Sequence, residues 1–184
     1  SILGATLVAS ISPLDSTLHA QTIKSLFPSN GLVRYYSFDE GTGNVVSDAT
    51  KNRNLSVSDS WVTNGISGPA YNPNGSYYDT GHSLGTEAVS INFWIKKTGN
   101  WSPYGDIVGS QGNFYVDTWG NQAPYSSQSL LFYTPGDVGN INLPTEGNWH
   151  MMTVLLGNGR KKLYIDAIKL FDGPGTWTFS SETV

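Results

Sequence analysis

Residues 151–167 constrain the fold more than any other stretch. Met151 to Leu156 is a short apolar run. Gly157-Asn158-Gly159-Arg160 interrupts it, and Lys161 to Ala167 follows. Asn-Gly accepts two consecutive positive φ angles at low cost, which a tight hairpin with the natural strand twist requires. The segment therefore predicts a β-hairpin turning at residues 157–160.

Turn signals recur along the rest of the chain. They stand at Asn64-Gly65, Gly68-Pro69, Asn72-Pro73-Asn74-Gly75, Gly99-Asn100, Gly120-Asn121 and Pro135-Gly136-Asp137. Short segments between closely spaced turns point to an all-β sandwich. The clearest single strand sets Val89, Ile91, Phe93 and Ile95 on a buried face, against Ser90, Asn92, Trp94 and Lys96 on a wetter one. Phe114 to Asp117 and Leu130 to Tyr133 read as shorter strands. Leu32 to Phe38 has apolar residues on both faces and no Gly or Pro, which predicts a central strand. Asp39-Glu40-Gly41-Thr42-Gly43 then stops it. No internal repeat is visible.

Five blocks carry a resemblance. They are Gly31 to Gly43 (GLVRYYSFDEGTG), Asp48 to Leu55 (DATKNRNL), Val89 to Ile95 (VSINFWI), Gly147 to Val154 (GNWHMMTV) and Leu163 to Asp166 (LYID). In this order they are similar to the laminin-G-like, concanavalin-A-like jelly-roll domains, over roughly residues 31–175. The second block departs from the family's loop at Lys51, Arg53 and Leu55. The resemblance implies an antiparallel jelly-roll β-sandwich over residues 31–184, preceded by an N-terminal extension. It does not imply a function, since one fold hosts many. It also implies a closing core strand after the hairpin. Past Phe171 the chain offers only Asp172-Gly173-Pro174-Gly175, a predicted strand at Thr176 to Phe179 and a tail, so a sandwich one strand short is expected.

Residues 1–12 supply a spare strand. Leu3, Ala5, Leu7, Ala9 and Ile11 are all apolar at alternate positions, which is the period of an amphipathic strand. Residues 13–30 read as a linker, with a short helix capped by Asp15-Ser16 and running to Leu26. A sandwich short of a strand exposes an apolar groove and free backbone. The spare strand can fill that groove in its own subunit, or in the next one by β-strand addition. The second arrangement is head-to-tail and does not close, so it builds a homopolymeric filament.

Charge and composition exclude other classes. A formal net charge of −4, with only 10 Lys and Arg, does not make the basic stripe that nucleic acid needs. Arg160-Lys161-Lys162 reads as a solvated hairpin end. Cysteine is absent, which removes thiol chemistry and Cys-ligated zinc. No apolar run approaches the roughly 20 residues of a membrane span. Low charge with abundant Gly, Ser, Asn, Tyr and Trp is the composition of extracellular or cell-surface β proteins.

Enzymatic chemistry is not expected. No run of alternating carboxylates is present to flank a glycosidic bond, and Asp39 and Glu40 are adjacent in a turn. His19, His82 and His150 have no ligand-like spacing. No G-x-S-x-G elbow occurs. His150, inside the fourth block, reads as structural. Family members often bind calcium, and Asp48 with the carbonyls near Asn52 are the matching positions. No cofactor and no metal-ligating residue is assigned, and calcium is left open. Trp101, Tyr104, Trp119 and Tyr125 offer flat aromatic surface near Asn100, Asp106, Asn121 and Gln122, the pattern of a carbohydrate-binding or adhesive module. Trp61, Trp149 and Trp177 read as core or contact residues. Sequons stand at Asn54, Asn74 and Asn100 and matter only in a secreted chain.

Overall fold

The computed structural model describes residues 31–58, 60–73, 78–81, 88–98, 105–110, 114–119, 129–133, 138–142 and 144–175. The extension at 1–30 with Leu3, Ala5, Leu7, Ala9 and Ile11, the aromatic residues Trp101, Tyr104, Tyr125 and Trp177, the sequon residues Asn74 and Asn100, and the predicted strand at 176–179 lie outside them.

The protein is all-β, with no helix among the described residues. Two four-stranded antiparallel sheets form a sandwich. The first contains β5 (Val89–Lys96), β10 (Trp149–Gly157), β11 (Arg160–Ile165) and β12 (Ile168–Pro174), in the order β12-β11-β10-β5. The second is a meander of β6 (Gly105–Ser110), β7 (Phe114–Trp119), β8 (Ser129–Tyr133) and β9 (Val138–Asn142). The core lies between them. Val89, Ile91, Met152, Val154, Leu156, Leu163 and Ile165 from the first sheet pack with Phe114, Val116, Leu130, Phe132 and Ile141 from the second.

The hairpin turns where the sequence places it. Asn158 (φ 53°) and Gly159 (φ 69°) form a two-residue loop with both residues left-handed, and Gly157 pairs with Arg160. A second hairpin follows at once. Asp166 (φ 51°) and Ala167 (φ 64°) turn the chain, and Ile165 pairs with Ile168. Residues 168–174 thus form a full edge strand where the sequence showed only the end of a hairpin. The signal was hidden because Ala is a poor marker for a left-handed turn. β6 and β9 are also strands that the sequence reading missed.

A smaller cluster is built from the N-terminal part of the domain. β1 (Val45–Val46) pairs with β2 (Leu55–Ser56), and β3 (Ser60–Val62) with β4 (Ala70–Asn72). Tyr36, Val46, Leu55 and Val57 are buried here against Phe38, Trp61, Tyr71 and Tyr78. Trp61 Nε1 donates to Gly43 O at 2.9 Å, and its ring meets Tyr71 edge-on at 5.2 Å. Trp149 Nε1 donates to Asn64 O at 3.2 Å, which ties β10 to the loop between β3 and β4. Leu32 to Phe38 is not a central strand. It makes one isolated bridge, Tyr36 to Asp48, and Phe38 sits at φ 57°, which ends the extended run before Asp39. Its backbone is held by side chains of the following loop and by one backbone bond, from Ala49 N to Tyr35 O at 2.9 Å, instead of by a ladder.

Candidate assembly surface

Register across the first sheet aligns three inward-facing rows. They are Val89–Leu156–Lys161–Gly173, Ile91–Val154–Leu163–Phe171 and Phe93–Met152–Ile165–Ile168. The first two rows are covered, with Phe171 half-buried at the end of the second. The third is covered only at its centre. Met152 is fully buried and Ile165 nearly so, whereas Phe93 is half-buried and Ile168 is 66% exposed. Next to Ile168 the ladder slips by one residue, because Leu163 faces Phe171 and Tyr164 faces Lys169. Leu170 is the extra residue of that bulge and is 39% exposed. Ile95, Ile107 and Val108 likewise pack on the core while only partly buried. The outermost strands β5, β12, β6 and β9 each have a strand neighbour on one side only among the described residues.

The basic tripeptide at the hairpin is not a solvated end. Alternation sends Arg160 and Lys162 outward and Lys161 into the core, where Lys161 is fully buried. Lys161 Nζ crosses the sandwich and donates to Phe132 O on β8 at 3.2 Å. It lies 5.3 Å from the Phe132 ring centre and 5.9 Å from that of Phe171, within cation–π range. Gly173 stands opposite Lys161, and a Cβ there would collide with the Phe171 ring. Outside, Arg160 donates to Asp172 Oδ1 from Nε at 2.9 Å and from the guanidinium tip at 2.7 Å. Lys169 Nζ donates to Asp172 Oδ2 at 3.2 Å, and Lys162 Nζ lies 3.8 Å from it. Arg160 beside Asp172, then Lys169 and Lys162, hold its carboxyl below the ordinary range. Three outward cations, Arg160, Lys162 and Lys169, thus converge on one acid. The signal was available in the sequence, since Lys161 shares parity with Leu163 and Ile165.

Asp48 organises the loop after Val46. Its Oδ1 accepts the N–H of Tyr35 at 3.1 Å and of Thr50 at 2.9 Å, and its Oδ2 accepts that of Arg53 at 3.0 Å. The Thr50 hydroxyl reaches both oxygens at 2.7 Å. Arg34 Nε lies 3.8 Å away and donates to Thr80 O at 3.0 Å. Burial pushes the Asp48 carboxyl up, but the Tyr35, Thr50 and Arg53 donors outweigh it and the net shift is downward. Burial, with the Asp48 charge nearby, pushes the Tyr36 phenol up to about 12, and its hydroxyl donates to Arg53 O at 2.8 Å. This donor set does not fit the calcium that the resemblance brings to mind. A calcium ion needs several oxygens converging on it, whereas here N–H and O–H groups converge on the carboxylate. Val33 O is engaged as well, by Thr50 Oγ1 at 3.1 Å and Asn52 Nδ2 at 3.0 Å. The loop is a structural latch.

His150 joins two turns. Its Nδ1 lies 2.6 Å from Asp166 Oδ2 and its Nε2 lies 3.0 Å from Thr145 Oγ1, while Met151 N donates to Asp166 Oδ1 at 2.9 Å. The His150 hydrogen bond, against a smaller effect of burial, holds the Asp166 carboxyl below the ordinary range. His150 is thus tied at both ring nitrogens. Asn92, on the face expected to be wet, is buried and accepts from Thr153 Oγ1 at 2.8 Å while donating to Ser90 Oγ at 2.9 Å.

Of the remaining sequence candidates, Asn54 is exposed at the head of β2, and its Oδ1 accepts Asp48 N–H at 3.0 Å. The backbone of Trp119 ends β7 opposite Ser129, and its side chain lies outside the described residues. The glycan-binding expectation for Trp101, Tyr104, Trp119 and Tyr125 thus falls on side chains outside the described residues. No group of three or more His, Cys, Asp and Glu among the described residues could hold a metal ion. In comparisons with known proteins, the chain matches no family model, no curated protein and no solved structure.

Proposed function

We propose that the chain is a structural subunit of an extracellular filament or surface assembly, in which the N-terminal strand of one copy completes the sandwich of the next. The observation that carries this reading is the incompletely covered core. An inward-facing row is dry at Met152 and Ile165 and open at Ile168, on a sheet with outer edges free of a strand neighbour among the described residues. Exposed edges that abut apolar side chains are templates for strand addition, and proteins that do not use them normally block them. Residues 1–12 carry the alternating apolar pattern of a strand that would match it. A laminin-G-like jelly-roll connection of the strands, an extracellular location and the absence of catalysis belong to the same reading.

The test is the mass of the natively purified protein by light scattering, with negative-stain imaging of the same sample. Long polymers that persist on dilution and disappear in Leu7→Asp are expected. A monodisperse particle near the chain mass of 19.9 kDa overturns the proposal. If that monomer binds glycans on an array, the loop aromatics Trp101, Tyr104, Trp119 and Tyr125 become the functional residues and the protein is an adhesive or carbohydrate-binding module.

A further inference from the structure

Resting on that reading, we infer that the acceptor edge is β12, and that residues 1–12 of a neighbouring copy add alongside Ile168 to Phe171. Among the described residues the two sheets have four edges, and they differ in what they leave exposed. On β5 the inward Val89 and Ile91 are buried and Phe93 and Ile95 partly so, on β6 Ile107 and Val108 are partly buried, and on β9 Ile141 is buried. β12 is different. Ile168 belongs to the inward row, beside buried Ile165, and is largely exposed. Leu170 at the bulge adds exposed apolar surface, and Phe171 is half-buried next to it. The row that runs through Met152 and Ile165 is covered as far as β11 and open at Ile168 on β12.

The far half of β12 is protected. Asp172 is held by Arg160, Lys162 and Lys169, and Pro174 removes a backbone donor. Addition is thereby confined to residues 168–171. Residues 1–12 suit that stretch chemically. They contain no charged side chain, and Leu3, Ala5, Leu7, Ala9 and Ile11 would share one face of a strand. As a strand they span about 40 Å, which covers four residues of β12 in any register. The 18 residues at 13–30 extend to as much as about 60 Å, enough to reach another subunit.

The chain has no cysteine, so engineered pairs report without background. Ile168→Cys would be combined in turn with Leu3→Cys, Leu7→Cys and Ile11→Cys in the full chain. Ile95→Cys on β5 would replace Ile168→Cys as the control. Each protein is oxidised, run on a non-reducing denaturing gel, and checked for assembly before oxidation by light scattering. A ladder of multimers from at least one Ile168 pairing, and none from the Ile95 pairings, is the expected result. Polymers that form but cross-link only through Ile95, or through neither position, overturn β12 as the acceptor and leave the filament reading standing. A fast-migrating, internally linked monomer overturns addition between subunits. Protein that is monomeric before oxidation overturns the filament reading itself.

Discussion

Asp48 shows how one side chain replaces a strand ladder. It accepts three backbone N–H groups and a hydroxyl from residues on both sides of it, so Tyr35 is tied to the loop of Thr50 and Arg53 with only an isolated bridge between Tyr36 and Asp48. Hydrogen bonds to a buried charge are each worth about 1.5–3 kcal/mol. Asp48→Asn should therefore lower unfolding free energy by about 3 kcal/mol, measured by urea denaturation. The pH dependence follows from its sign. The folded pKa is depressed below the ordinary 3.8, so the stabilisation is complete above that value and is lost as pH falls through the folded pKa. Asp166, depressed by His150, adds in the same direction. The wild type should lose stability faster than Asp48→Asn as the pH is lowered below about 4, by thermal melts across that range. Ala167 makes a second residue-scale prediction. It sits exposed at φ 64°, where a Cβ costs about 1 kcal/mol, so Ala167→Gly should raise the melting temperature by about 2–4 °C.

Among elements, the β10–β11–β12 train depends on a lysine in its core row. Lys161 bridges the two sheets through Phe132 O and fills the space between the Phe132 and Phe171 rings. Lys161→Ala would open a cavity there and should cost about 3 kcal/mol by chemical denaturation. Lys161→Met, similar in length and without the charge, should recover more than half of that loss, because packing along the aliphatic stem is retained. The same train explains the missed strand. Residues 161–167 were legible as the second arm of the Asn158-Gly159 hairpin, an arm that the structure ends at Ile165. The turn at Asp166-Ala167 was not, since neither residue announces a left-handed pair as Asn158-Gly159 does. β12 thus exists because β11 offers a ladder edge, a property of the neighbour and not of its own sequence.

For the whole molecule, the proposed filament formation would couple stability to concentration. A strand received from another copy stabilises the folded state by mass action, so the melting temperature should rise with protein concentration. Deleting residues 1–12 should abolish that dependence and the polymers together, by calorimetry over a tenfold concentration range.

The sequence by itself determined the all-β class, the Asn158-Gly159 hairpin and the inward face of β5, because local periodicity and turn chemistry decide these. Only the tertiary structure decided that Leu32 to Phe38 is latched by Asp48, that Lys161 is a core residue and that Ile168 is exposed. Each of those depends on which distant strand lies opposite, and side-chain alternation fixes which residues share a face without saying whether anything covers that face.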